Sequence, residues 1–355
     1  RIMSKFWSSV VNNLKPYTPG EQPKVPGLIK LNTNEHCLPP STEAMAALGN
    51  VSSEALRRYP DPESTALRRA IANAEGLSEG QVFVGNGSDE VLAHIFQGLL
   101  SSNDSLVAPD ITYSFYPVWA ALYGLELKTE ALLADFTIDV NRLLQHPESI
   151  LLANPNAPTG RALTLAEIKR LVDSNPDRLV VVDEAYYGFG ADSASSLLTE
   201  AENLIVTRSL SKSHALAGLR VGYALGSAEL IEGLTRVKDS FNSYPLDACA
   251  QSVATAAIED TQWLSRSSAL VTENRDRLTQ DLRDLGFEVC PSLANFIFVQ
   301  HPQHEGRDLF EYLRAKNILV RRWDKKPIAN FLRITVGTHE ECSALVQCLK
   351  ERCAP

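Results

Sequence analysis

The chain has 355 residues, 22% of them charged and 44% hydrophobic, which is the make-up of a folded protein with room for two domains and excludes a disordered or fibrous one. A net charge of −9 argues against nucleic acid or an anionic membrane as partner, so any bound phosphate must be held by local arginines and backbone amides. Six scattered cysteines with no ligand spacing argue against a disulfide framework or a zinc site and fit reduced thiols in the cytoplasm.

No apolar run reaches the roughly 18 residues of a membrane span, and the opening Arg1–Trp7 has no apolar core of signal-peptide length. Residues 1–45, rich in Pro, Asn and Lys, form an extended arm that must pack on a larger body or on a second subunit. Ser41 is placed to cap a helix reaching about Leu48. In Arg58-Tyr59-Pro60-Asp61-Pro62 two prolines fix an irregular turn and leave Tyr59 projecting. A helical stretch from Ser64 to Ala74 leads to the short strand Gln81-Val82-Phe83-Val84 and the turn Gly85-Asn86-Gly87-Ser88-Asp89-Glu90. An apolar-periodic helix follows through Val91, Leu92, Ile95, Phe96 and Leu99. The glycines let a ligand approach the backbone, and the amides of Ser88 to Glu90 would face an anion from a helix N-terminus. The same residues are also simply good helix caps.

Strands follow at Ser105-Leu106-Val107-Ala108 and Ser149-Ile150-Leu151-Leu152-Ala153, on either side of a segment opened by Thr112-Tyr113-Ser114-Phe115-Tyr116. The second runs into Asn154-Pro155-Asn156-Ala157-Pro158-Thr159-Gly160, too rich in Pro and Asn to extend a sheet. After a helix from Leu165 to Val172, the apolar run Arg178 to Val182 ends in Asp183-Glu184. A central parallel strand does this where its C-terminal end opens onto a site. Leu204-Ile205-Val206 and Leu219 to Leu225 are two further strands. Between them Lys212 stands alone among Ser, Ala and Gly, where partial desolvation favours the neutral, nucleophilic amine that a Schiff-base lysine needs. A surface lysine in a loop is the plain alternative. The alternation defines an α/β domain over 46–245, a mostly parallel sheet flanked by helices, with Ser88, Asn156, Asp183 and Lys212 gathered at strand C-terminal ends.

From 246 to 355 the texture is that of a smaller α+β domain: helices Leu246 to Glu259 and Trp263 to Leu285, then shorter strands around Phe287–Cys290, Asn295–Val299, Leu319–Arg322 and Phe331–Val336. A helix from Arg307 to Ala315 intervenes, and Thr338 with Glu341 forms a capping box opening the last helix. Alternation in the Phe331–Val336 strand puts Leu332, Ile334 and Val336 on one face and Arg333 on the other, toward a polar space. His301 and His304 flank Pro302 in an apparent loop, and no metal site is expected there.

Taken together, the glycine turn with Ser88-Asp89, the Asn-Pro turn, Asp183-x-x-Tyr186, Ser211-Lys212 and Arg220 resemble the fold-type I pyridoxal-phosphate aminotransferases. Lys30-Leu31-Asn32-Thr33-Asn34-Glu35, Tyr59-Pro60-Asp61 and Leu332-Arg333-Ile334-Thr335-Val336-Gly337-Thr338 are similar to the histidinol-phosphate branch of that family, and the resemblance spans nearly the whole chain. It implies that Lys212 carries pyridoxal 5′-phosphate as a Schiff base and moves the proton of the transamination. Asp183 would pair with the ring nitrogen, Tyr186 and an Asn of the Asn-Pro turn with the phenolic oxygen, and Tyr113 with the ring face. Ser88, Asp89, Ser209, Ser211 and Arg220 would cradle the phosphate, joined by Tyr59 from a neighbouring subunit of a homodimer with shared active sites. Tyr17, Arg321 (or Arg322) and Arg333 would bind substrate, Arg333 taking the phosphate of histidinol phosphate or the carboxylate of glutamate and 2-oxoglutarate. An aromatic amino acid aminotransferase and a pyridoxal-phosphate decarboxylase of an amino-acid phosphate are the rival activities. The chain departs from the family at Ala157, where an Asn is usual, so Asn156 or Asn154 supplies the oxygen contact or it is absent; it departs again at His36-Cys37 in the arm.

Overall fold

The computed structural model describes residues 5–353; Arg1–Ser4 and Ala354–Pro355 lie outside the described residues. The arm contributes β1 (Ile29–Lys30). The large sheet comprises β2 (Val82–Asn86), β3 (Ser105–Pro109), β4 (Glu126–Glu130), β5 (Ser149–Ala153), β6 (Val180–Asp183), β7 (Leu204–Ser209) and β8 (Val221–Gly226), in the order β2-β8-β7-β6-β5-β3-β4. Only β8 runs against its neighbours.

Both faces of this sheet are covered. Val82, Val84, Ile150, Leu152, Val180, Val182, Leu204 and Val206 point into one hydrophobic cluster, while Phe83, Leu151, Val181 and Ile205 point into the other. Period-2 alternation between two apolar layers is why these strands read as continuous hydrophobic runs. The edge strand β4 (Glu-Leu-Lys-Thr-Glu) carries no such run, and the helix Tyr116–Tyr123 before it is apolar nearly all round and so shows no helical stripe; sequence patterning misses both.

The small domain holds β9 (Glu288–Val289), β10 (Phe296–Gln300), β11 (Ile318–Leu319), β12 (Arg321–Arg322) and β13 (Leu332–Thr335). An antiparallel sheet β12-β13-β10-β9 packs under the helices Thr261–Asp284, Gly306–Ala315 and His339–Cys353 through Ile297, Val299, Leu332, Ile334, Leu309 and Leu345. The Thr338–Glu341 capping box forms, with Thr338 N–H donating to Glu341 at 2.8 Å.

Three expectations change. The stretch expected as one strand, Leu319–Arg322, is two: β11 pairs parallel with the arm's β1, and β12 pairs with β13. Val320 sinks into the core between them, so the backbone changes partner there. The helix Ala248–Glu259, assigned by its texture to the small domain, sends Ala250, Val253, Ala254 and Ala257 into the large-sheet core. Lys212 sits on a helical turn, Leu210–Ser213, capped by Ser209, instead of in an open loop. The arm is stitched to the small domain, with Leu31 fully buried in its core and Leu31 O accepting from Thr335 N–H at 3.0 Å. Among the described residues no helix is long and apolar enough to cross a membrane.

Candidate active site

A cavity of about 350 Å³ opens at the C-terminal edge of the large sheet, walled by the arm, the large-sheet strand ends and the small domain. Lys212 projects into it from the turn after β7, and its Nζ donates to the carbonyl of Thr33 in the arm at 2.8 Å. Burial pulls this amine down to about 8, helped by the positive charges of Arg333 and Arg220 and opposed by Glu35. A neutral, nucleophilic fraction is therefore present near neutral pH.

Asp183 ends β6 in register with Thr207 of β7. Its carboxylate accepts from the Tyr116 hydroxyl at 2.8 Å, the Thr207 hydroxyl at 3.2 Å and the Ala185 N–H at 3.2 Å. Burial pushes Asp183 up to about 6, while these three donors pull it back toward the ionised form. The result is a carboxylate charged at neutral pH in an otherwise apolar floor, poised to hold a cationic N–H. Behind it, buried Glu184 and Arg208 pair at 3.0 Å, and Arg208 stacks on Tyr187 with its guanidinium 3.6 Å from the ring centre. The pair ties the ends of β6 and β7 together beneath Asp183 and Ser209. Removing Arg208 would strand the buried Glu184 charge, whereas Arg208 has Glu75 as a second partner.

The helix Gly87–Gly98 begins at the end of β2, with its first amides free. Gly87 takes φ +80, and a Cβ there would lie 2.6 Å from Arg220 Nη2; a Cβ on Gly222 of β8 would lie 2.3 Å from Ser88 N. Only bare backbone allows strand, helix start and guanidinium to converge this closely. Arg220 adopts a left-handed φ of 57, a conformation costing about 1 kcal/mol for a residue with a Cβ. Its guanidinium reaches Ser211 Oγ at 3.4 Å and Asp89 at 3.4 Å. The Ser209 hydroxyl accepts from Ser211 N–H at 3.1 Å. Half-exposed Arg220, helix amides and two serine hydroxyls form a cup suited to a phosphate dianion.

Tyr113 lines the cavity and donates to Asp89 at 3.2 Å. Tyr17 of the arm stacks on Phe115 with ring centres 4.8 Å apart and meets Tyr113 edge-on at 6.1 Å. Tyr186, three residues beyond Asp183, lines the cavity and accepts from Asn34 Nδ2 at 2.9 Å. From the small domain, Arg333 donates to Asn32 O at 2.9 Å and lies 5.2 Å from the Trp323 ring centre, with Arg321 at 5.6 Å from the same ring. Arg333 Nε is buried with no hydrogen-bond partner. Arg322 turns away to Ala329 O at 2.9 Å and to Asp324, so Arg321 is the arginine that faces the cavity.

One expected contact moves. The Asn156 amide donates to Ile111 O at 2.9 Å and accepts from Thr112 at 2.8 Å, while the Asn154 amide spans Leu163. Both are used up in holding the turn, and the wall facing the cavity is the methyl of Ala157. Tyr59 lies outside the cavity, 83% exposed and stacked on Tyr244 at 4.7 Å. His301 and His304 do approach Cys353, with candidate ligand atoms within 4.8 Å of one another. Both His301 nitrogens are already engaged, by Leu285 O and Gln303 N–H. Sequence patterning did not single out Tyr116, Thr207, Asn34 or Trp323. Thr207 left a trace, as a hydroxyl inside an apolar strand two residues before the Ser-x-Ser-Lys segment; Asn34 and Tyr116 lay inside the quoted segments Lys30–Glu35 and Thr112–Tyr116 with no role assigned, and Trp323 left none.

A lysine of lowered basicity, a buried acid and an anion cup on one sheet edge define a fold-type I pyridoxal-phosphate enzyme, and the glycine-lined cup beside Arg220, the buried Asp183 and Lys212 fit pyridoxal 5′-phosphate. The chain belongs to the aminotransferase class I and II family, whose model matches residues 26–349. It is 54% identical over 349 residues to histidinol-phosphate aminotransferase 1 of Bradyrhizobium diazoefficiens, covering 98% of this chain and 99% of that one. It is likewise 54% identical over 352 residues to histidinol-phosphate aminotransferase 2 of Thiobacillus denitrificans, covering 99% and 98%. The crystal structure of histidinol-phosphate aminotransferase from Sinorhizobium meliloti in complex with pyridoxal-5′-phosphate superposes with a TM-score of 0.87 at 22% identity, over 99% of this chain and 98% of that one.

Proposed function

We propose that the chain transfers the amino group of histidinol phosphate to 2-oxoglutarate, giving imidazole acetol phosphate and glutamate. The observation that carries this is Arg333: a buried guanidinium with an unpartnered Nε, backed by Trp323 and Arg321, close enough to Lys212 to depress its basicity. Such an arginine can take a phosphate in one half-reaction and a carboxylate in the other, because its fork matches both. The names of the 54%-identical relatives support the same substrate.

Pyridoxal 5′-phosphate, when bound, supplies the electron sink for the carbon that loses its proton. Asp183 would hold the ring nitrogen, Tyr186 the phenolic oxygen and Tyr113 a ring face, while Ser88, Asp89, Ser209, Ser211 and Arg220 would hold the phosphate. Lys212 Nζ would take the proton from the amine-bearing carbon of the substrate and pass it to the cofactor, which carries the amino group to the second half-reaction, and its lowered basicity suits it to exchange a proton near pH 8. Tyr17 and the arm roof the cavity and limit water.

The functional unit of this reading is a cytoplasmic homodimer in which Tyr59 reaches the phosphate of the second copy. Its exposed position, with Leu56, Met45 and Phe241 also exposed, suits a covered apolar face. The deciding experiment follows cofactor absorbance through single half-reactions with histidinol phosphate and with phenylalanine. Faster reaction of histidinol phosphate is expected; faster phenylalanine, or release of CO₂ from an amino-acid phosphate, would assign one of the rival activities.

A further inference from the structure

We infer that Asn34 is a positioning residue that fixes the direction of the Tyr186 hydroxyl proton, so that the phenol donates into the cavity. The ring of Tyr186 lies in an apolar nest: Ala157 and Ala294 flank it, and Phe296 meets it edge-on at 4.9 Å. The polar group given to its oxygen is the Asn34 amide, whose Nδ2 donates at 2.9 Å. An oxygen that already accepts an N–H there turns its own proton away from the donor, and the cavity lies on the open side.

The orientation of that amide is fixed from three directions. Thr335 Oγ1 accepts the Asn34 N–H at 3.0 Å and donates to Asn34 Oδ1 at 3.0 Å, which leaves the NH₂ facing Tyr186. Asn34 O accepts from Asn295 Nδ2 at 2.9 Å. The residue is 1% exposed and held at φ 57, in the left-handed region that Asn tolerates better than most side chains. The two residues gripping it, Thr335 and Asn295, belong to the small domain, and Tyr186 belongs to the large one. The donor is therefore in place only when the arm is seated on the small domain, which couples closure of the site to the polarity of the phenol.

The chemistry follows from cooperativity: donation to the phenol oxygen makes its O–H the stronger donor, and burial alone would weaken it. A strong donor stabilises the deprotonated oxygen of a bound cofactor. The inference rests on the cofactor and not on which amine is the substrate. Titration of the visible absorbance of the holoenzyme with pH tests it. Asn34→Ala is expected to raise the apparent pKa of the bound cofactor by roughly 0.2–0.3 unit, since it acts through cooperative strengthening of the Tyr186 O–H, about 10–30% of one hydrogen bond. Asn34→Gly keeps the left-handed backbone and serves if the alanine variant fails to fold. In a Tyr186→Phe background the same substitution is expected to add no further shift. An unchanged pKa in both Asn34 variants, or an equal shift in the Tyr186→Phe background, overturns the inference. A wild-type chain that takes up no cofactor would instead defeat the functional proposal, so the two failures are distinguishable.

Discussion

The floor of the cavity and its wall are built on opposite terms. On the floor, Asp183 holds three donors, Arg220 spans Ser211 and Asp89, and Lys212 rests on a carbonyl. On the wall, Arg333 keeps Nε and Asn32 keeps Oδ1 buried without a partner, and both residues line the cavity. A buried polar group left unpaired costs about 1–3 kcal/mol. The floor is thus preorganised for a group that stays, whereas the wall holds its capacity in reserve for ligands that come and go.

Breaking the floor should therefore have the larger effect. Lys212→Ala is expected to lower kcat by on the order of 10⁴-fold or more while the chain still folds, measured as single-turnover formation of glutamate. Breaking the wall should separate binding from cofactor retention: Arg333→Ala is expected to cost roughly 10²-fold in kcat/KM for phosphate and carboxylate substrates alike, with the cofactor still retained. If Arg333→Lys preserved both substrates, the distinction between floor and wall would fail. Thr207→Val removes one of three donors to Asp183 and should cost about fivefold in kcat, the weight of one hydrogen bond of about 1 kcal/mol.

The smallest effect concerns stability of the cofactor-free chain against pH. Lys212 titrates near 8 folded and at its ordinary 10.5 unfolded, so the unfolded chain binds more protons between those values and stability from this group rises across that window. Asp183 titrates near 6 folded against an ordinary 3.8, so the folded chain binds more protons between about 4 and 6 and stability falls as pH rises through that range. Each slope is at most about 1.4 kcal/mol per pH unit, and Lys212→Met and Asp183→Asn should flatten their respective windows in chemical denaturation series.

Lys212, Asp183 and the Ser88-Asp89 turn were legible in the linear chain because their chemistry is written locally: a lone amine between two strands, an acid at the end of an apolar run, a glycine turn opening a helix. Tyr116 and Asn34 were not. Tyr116 stands 67 residues from the Asp183 it contacts, and Asn34 stands 152 residues from Tyr186. Asn156 shows the opposite error: the residue type was right for an oxygen contact, but the turn took both ends of its amide.

By itself the sequence determined the α/β sheet, the order of its motifs and the lone lysine between two of its strands, since alternation and turn chemistry act over a few residues. Only the tertiary structure decided which arginine faces the cavity, which hydroxyls hold Asp183 and what holds Tyr186. Those contacts are set by how an arm and two domains pack, and packing joins residues that have no local pattern in common.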